Sequence, residues 1–474
     1  MSNRIQNWRA GIAPLLGGAG IAMVALCVFS ARADPRRTSR FEKPIRPHFD
    51  HAAVISGPFA TPEDVTRTCL GCHPGAAAVM KTAHFTWLGG EVEVAGHAGK
   101  IQVGKKNLIN NFCISTIGNE RACTKCHVGY GWKDGSFDFG RAENVDCLVC
   151  HEHGSGYVKG EAGLPEKGVD LVAAARSVGT PGRDNCLTCH AYGGGGQAVK
   201  HGDLDSSLEH PASDEDVHMG KHGFLCVDCH GGPNHELRGR AFSVSVEDAH
   251  GVACTDCHDG REHRDERIQA HLKSLACQTC HIPSYARTLP TKATWDWSKA
   301  GDSSRPEDPH HYLKIKGEFA YEQDVVPEYR WFDMTVNRYL LGDRIDPDKV
   351  TPINLPRGSM SEPAAKIWPF KIHRARQPYD LGTRMLLPPV TGGPGGYWTT
   401  FDWDSAFRLG AKAAGLPYSG KYGFTSTEMY WPLSHMVVPK EQTLGCTDCH
   451  GAGGRLDWKA LGYTGDPIQI GGRK

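Results

Sequence analysis

Apolar and polar positions fall into regular stripes in only a few places along this chain. The stretch TPEDVTRTCLGCH, 61–73, has Thr61 as N-cap, Pro62 at the first helical position and Asp64 completing a capping-box pattern, which predicts a helix. DERIQAHLKSLACQTCH, 265–281, spaces its apolar residues at helical intervals. DWDSAFRLGAKAAG, 402–415, predicts a third helix with Asp404 as N-cap and Gly415 as its stop. No segment sustains the alternation of a half-buried strand. The expectation is a mainly α fold with extensive irregular loops and few strands. One long apolar run, Ala10 to Ser30, follows Arg4 and Arg9 and precedes ARAD, an A-x-A pattern ending at Ala33. It predicts a secretory signal peptide over 1–33, with an uncleaved anchor as the alternative.

Cysteine usage changes this picture. Of the 18 cysteines, all but Cys27 and Cys113 fall into C-x-x-C-H runs. The runs are Cys69, Cys72 and His73; Cys123, Cys126 and His127; Cys147, Cys150 and His151; Cys186, Cys189 and His190; Cys226, Cys229 and His230; Cys254, Cys257 and His258; Cys277, Cys280 and His281; and Cys446, Cys449 and His450. C-x-x-C-H is the attachment motif of haem c, two thioethers with an adjacent histidine to ligate the iron. Zinc ribbons and disulfide frameworks give no reason for a histidine after every pair. Eight covalent haems are therefore expected, closely packed, with the porphyrin faces as much of the core. The 57 glycines fit close approach of backbone to such faces. The formal charge of +0 becomes acidic once about sixteen propionate charges are added, so nucleic acid is not an expected partner.

The motifs divide the chain. After the leader, 34–288 holds seven motifs. A haem-free region, 289–429, is rich in Trp, Tyr and Pro and reads as loops and short helices, with a few strands, wrapping the haems. The eighth motif lies in 430–474. Of 25 histidines, those outside the motifs are the candidates for the second axial position. His51, His84, His218, His235, His250, His263, His271 and His435 are the expected ligands. His235 and His263 each follow a motif histidine by five residues. His48, His97, His153, His210, His310, His311 and His373 read as surface or supporting residues, and His201 and His222 stay open. Ligation needs the neutral imidazole.

The chain resembles the octahaem tetrathionate reductase family of multihaem cytochromes c, more distantly the hydroxylamine oxidoreductases. The segments that carry the likeness include GPFATPEDVTRTCLGCH, MKTAHFTW, INNFCI, CHVGYGWKDGSFDF, ENVDCLVCH, YGGGGQAVKHGDLDSSL, ACQTCHIP, YSGKYGF and YWPLSHMVVPKE. Eight C-x-x-C-H runs argue against the nitrite reductases whose catalytic haem uses C-x-x-C-K. The resemblance implies a catalytic second haem on Cys123 and Cys126, with His127 proximal, Lys200 as the distal lysine and Cys113 as a free thiol at the open face. Asp203 is a candidate for hydrogen bonding around that site, and Gly193 to Gly196 for lying over a haem edge. Lys105, Lys106, Arg121, Lys125, Lys133 and His201 are candidates for attracting an anion. The implied activity is reduction of tetrathionate, a small inorganic anion, with electrons from a periplasmic or membrane-associated donor. Reduction of nitrite or hydroxylamine at the same haem, or electron transfer alone, are the competing readings. The mass of the purified mature protein is expected to exceed that of its polypeptide by eight haems, and a deficit of even one would remove a motif from the set.

Overall fold

The computed structural model describes residues 49–239 and 251–473, apart from Cys113 and Glu262. The leader, Cys27, His48 and His250 lie outside the described residues, as does Cys113 itself. No helix among the described residues is long and apolar enough to cross a membrane.

The described residues before 289 form short helices and turns strung between the motifs. Pro62–Cys72 is a helix with Thr61 at its N-cap, and the Thr61 N–H donates to Asp64 Oδ2 at 2.9 Å. Most other motifs are single turns that begin at the first cysteine, such as Cys226–His230 and Cys277–His281. The predicted helix at 265–281 is two pieces, Glu266–His271 and Cys277–His281, separated by a break that turns the chain. Two small hairpins sit in this half. Strands β1 (Gly90–Glu93) and β2 (Lys100–Val103) form one; β3 (Ile109–Asn110) and β4 (Ile114–Ser115) form the other. Asn111 and Phe112 follow β3 directly.

The region 289–429 departs most from expectation. It is built on an eight-stranded mixed sheet rather than on loops and short helices with a few strands. The strands are β5 (Thr291–Asp296), β6 (Tyr312–Leu313), β7 (Gly317–Glu322), β8 (Glu328–Phe332), β9 (Val336–Arg338), β10 (Thr351–Pro356), β11 (Lys366–Asp380) and β12 (Tyr422–Pro432). Their order is β6-β7-β5-β11-β12-β10-β9, with β8 also pairing β11. The longest ladder is antiparallel β11–β12, from Phe370 opposite Pro432 to Asp380 opposite Tyr422. Aromatic side chains fill its core. Trp295 stacks on Trp297 with centroids 4.4 Å apart, and Tyr397 on Trp403 at 3.6 Å. Trp403 belongs to the helix Trp403–Ala414, whose N-cap is Asp402 rather than Asp404 and whose C-cap Gly415 has φ +67°.

A buried side chain repairs the sheet where its register shifts. Between Pro352 and Asn354 the β10–β12 pairing slips. Asn354, fully buried, then donates its Nδ2 to Tyr430 O at 3.0 Å and accepts from Tyr430 N at 2.8 Å. Asn354→Ala would leave both backbone groups buried and unpaired, a cost of about 1–3 kcal/mol for each. The variant is expected to unfold several degrees below the parent by circular dichroism, and an unchanged midpoint would show that the amide does not hold the ladder.

Candidate functional site

Seven of the eight motif histidines face a second imidazole across a narrow gap. The pairs are His73 with His51 (ring centroids 6.4 Å), His190 with His84 (6.2 Å), His151 with His235 (6.1 Å) and His258 with His218 (6.2 Å). His230 meets His435 (6.1 Å), His281 meets His263 (6.2 Å) and His450 meets His271 (6.1 Å). A metal–imidazole bond is about 2 Å and the ring centre lies about 1 Å farther, so two imidazoles on one iron have centroids about 6 Å apart. These spacings fit a bis-histidine haem at each pair. Every expected second-side histidine except His250 is in a pair. His235 and His263 pair with His151 and His281, not with the motif histidines just before them.

Five of these rings are aimed by their other nitrogen. His151 Nδ1 donates to Gly179 O at 2.8 Å, His230 Nδ1 to Arg238 O at 3.0 Å and His271 Nδ1 to Arg267 O at 2.6 Å. His450 Nδ1 lies 2.5 Å from Asp466 Oδ1, and His435 Nδ1 lies 3.3 Å from Asp203 Oδ2. Such tethers choose the tautomer and leave Nε2 for the metal. Asp203 Oδ2 also accepts from the backbone N–H of Ser434 and His435, at 2.6 and 2.9 Å. Burial pushes its carboxyl up, but these bonds and the charge of His435 outweigh that and hold it at about 2. Asp203 thus serves the His230–His435 pair, although its place in the sequence groups it with Lys200.

Cysteines of different motifs also meet. The Cys69 and Cys147 thiols are hydrogen-bonded, as are Cys126 with Cys189, Cys186 with Cys226, and Cys254 with Cys277. None of the sixteen motif cysteines is in a disulfide.

His127 is the exception. Its Nε2 lies 2.5 Å from Phe85 O. A carbonyl only accepts, so this nitrogen carries the proton and donates it. Its Nδ1 is buried without a partner. The ring is enclosed by Phe85, Trp87, Trp132, Phe137 and Phe139, with centroids 4.8 to 6.1 Å away. Burial holds the imidazole neutral, its pKa lowered to about 3. Among the described residues no histidine faces it. Lys159, buried, fixes the backbone here by donating to His127 O at 2.5 Å and pairing with Asp146 at 2.7 Å.

Cationic and polar groups also gather around the second motif. Hydrogen bonding with Cys189 is the main cause that lowers the Cys126 thiol to about 6, and the charges of Lys105, Lys159 and Lys200 add to it. Lys200 Nζ lies 5.1 Å from the Trp431 ring centre, and His201 stacks edge-on to Trp431 at 4.9 Å. Trp431 in turn contacts Phe112 at 5.4 Å. Phe112 precedes Cys113 in the sequence, and the sheet anchors Asn110 and Asn111 just before it. Asn111 Nδ2 donates to His373 O at 2.7 Å, His373 Nδ1 donates to Asn111 Oδ1 at 2.9 Å, and Gln377 Nε2 donates to Asn110 O at 2.8 Å. Gly194, at φ +87°, presses on Phe112, where a Cβ would come within 2.7 Å of Cδ2. The glycine run is therefore a turn packed on Phe112 and Val199.

Of the candidate cations, Lys105 covers Trp87 at 3.8 Å and Lys106 covers Phe139 at 4.0 Å, both against the box around His127. Arg121 is an exposed partner of Glu161 at 2.7 Å, and Lys125 and Lys133 are exposed. His97, His210, His222, His310 and His311 are exposed, and His153 bonds Thr180 O at 2.9 Å. His373, expected at the surface or in support, is fully buried, and its Nε2 has no partner. Sequence reading missed Lys371, Thr291 and Trp431. The one signal was the polar alternation Lys371, His373, Gln377 along KIHRARQ, which a half-exposed strand would turn outward.

Comparison with known proteins agrees with this geometry. A model of the family "Cytochrome c bacterial" matches residues 292–453, and one of "Cytochrome c7 and related cytochrome c" matches 212–283. An uncharacterised protein of Archaeoglobus fulgidus is 28% identical over 240 residues, 40% of this chain and 80% of that one. The crystal structure of octaheme cytochrome c from Shewanella oneidensis superposes with a TM-score of 0.84 at 45% identity, covering 89% of this chain and 98% of that one. With haem attachment motifs, axial pairs and fold in agreement, this chain belongs to the octahaem c-type cytochromes, redox proteins that carry haem c covalently.

Proposed function

We propose that the protein is an exported oxidoreductase that reduces tetrathionate to thiosulfate at the haem on Cys123 and Cys126. The observation that supports this reading is the withdrawal of His127. Seven motifs have an imidazole on each side, whereas the second has its own histidine proton-bound to Phe85 O and a lysine, Lys200, acting on Cys126 from elsewhere. A haem held by one amine keeps a face for substrate, and the other seven suit electron transfer. When bound, the haems supply the two electrons of the reaction, delivered by a periplasmic or membrane-associated donor.

The chain supplies the sulfur chemistry. The thiolate of Cys113 attacks one of the two central sulfurs of tetrathionate, the S–S bond breaks, and one thiosulfate leaves. The adduct Cys113–S–S–SO3 then takes two electrons, its bond to Cys113 breaks, and a second thiosulfate leaves with the thiolate restored. Lys200 and the neighbouring basic groups favour both the thiolate and a dianionic substrate. Reduction of nitrite or hydroxylamine at the same centre is the second reading, favoured by the same withdrawal of His127, since a small nitrogen ligand needs an open iron and no thiol.

Cys113→Ser separates the two. The haem-loaded, reduced variant is expected to lose tetrathionate reduction by about 100-fold or more while keeping nitrite and hydroxylamine turnover. Undiminished tetrathionate turnover would remove Cys113 from the mechanism. An equal loss with all three substrates would assign it a structural role.

A further inference from the structure

Residues 198–201, which carry Lys200, lie in neither helix nor strand, yet each of their four carbonyls is held. Ala198 O accepts from Thr291 Oγ1 at 2.7 Å and from Lys292 N at 3.2 Å. Val199 O and Lys200 O accept from Lys371 Nζ at 2.9 and 3.3 Å. His201 O accepts from Thr291 Oγ1 at 3.1 Å. Lys371 Nζ also donates to Thr291 Oγ1 at 2.5 Å, which joins the two clamps into one. Lys371 is fully buried on β11 and Thr291 is buried on β5. No carboxylate lies within ion-pair distance of Lys371 among the described residues. An ammonium has three N–H groups and no acceptor, and here the three meet three oxygens.

The clamp also holds a strained backbone. Ala198 has φ +52°, a conformation that residues with a Cβ rarely adopt. Glycine would reach it freely, but the Thr291 and Lys292 bonds fix alanine there and so set the direction in which the next residues leave.

We infer that Lys371 is a positioning residue for Lys200. It acts with Thr291 to freeze the 198–201 backbone so that the Lys200 amine is presented at the second haem. This rests on the reading of Lys200 as the amine at that haem. A four-carbon side chain has little orientation of its own, and the sheet supplies it through the main chain.

The test compares Lys371→Met, Thr291→Val and Lys200→Leu in the haem-loaded protein. It uses electron paramagnetic resonance and magnetic circular dichroism of the ferric state, with haem count and thermal midpoint measured alongside. Lys200→Leu is expected to abolish the signal of one haem, the lysine-ligated one, and spare the seven bis-histidine signals. Lys371→Met is expected to shift or abolish that same signal, and Thr291→Val to do so more weakly. If Lys371→Met fails to load eight haems, Thr291→Val alone decides, and its failure to move the signal counts against the inference. Wild-type spectra in folded Lys371→Met, with Lys200→Leu altered, would overturn the role of Lys371 and leave that of Lys200 standing. If Lys200→Leu itself changes no signal, the reading of Lys200 falls and the role of Lys371 falls with it.

Discussion

Two imidazoles must meet across one metal, about 6 Å from centre to centre, and most of this fold follows from repeating that requirement seven times. The motif histidine is placed by local geometry, since it closes the turn begun by its own cysteines. Its partner is not local. His51 reaches the first motif and His84 the fourth. His435, from beyond the sheet, reaches the fifth, and His271 reaches the eighth. Each partner must also turn the right nitrogen, and the Nδ1 tethers to carbonyls and carboxylates do so. Delivering side chains to fixed points calls for many short, well-capped turns. Long helices would place too few residues at the metals.

Among the described residues the polypeptide accordingly concentrates its own core in one place. The largest apolar cluster is the aromatic packing of the sheet, with Trp295, Trp297, Tyr397, Trp403 and Trp431 among its members. Among the motifs the buried clusters are small, such as Val65, Leu148, Ala174 and Ala175. Apolar haem faces are what such a region needs to complete its burial. The sheet has an aromatic core of its own, and it contacts the neighbourhood of the second motif through Asn111, Gln377, Lys371 and Thr291.

This division explains what could be read from the residues. The attachment motifs are local in sequence, and so is the choice between a histidine that joins a pair and one that stays at the surface. Which histidine meets which is a property of the folded chain. The repeat that sets His235 and His263 five residues after a motif says nothing of their partners. The sheet was hidden for a different reason. Its central strand β11 contains Pro369 and Pro378 and turns Lys371, His373 and Gln377 inward while Arg374 and Arg376 face out. Both faces therefore carry polar residues, and the period-two signal of a strand disappears. Asp203 misleads in the same way, since closeness to Lys200 along the chain does not place it at the same metal.

His127, expected as the proximal ligand of the second haem, instead donates to Phe85 O, and on the proposed reading an imidazole is not the ligand there. Returning His127 to an iron would strand Phe85 O without a partner and draw the ring out of five aromatic neighbours, a cost of about 1–3 kcal/mol for the buried carbonyl alone. Lys159 meanwhile holds the carbonyl of the same residue. On the proposed reading an amine takes the place of that histidine. An imidazole can be steered through its second nitrogen, by one hydrogen bond to a carbonyl or carboxylate. A lysine amine has no second handle, so its direction must be set through the backbone that bears it. A tethered imidazole manages with one bond, as His151 does with Gly179 O, whereas the loop of Lys200 has all four carbonyls from Ala198 to His201 pinned from the sheet. On that reading the haem-free region belongs to the reaction centre, because the strands that carry no motif hold the one axial candidate that cannot orient itself.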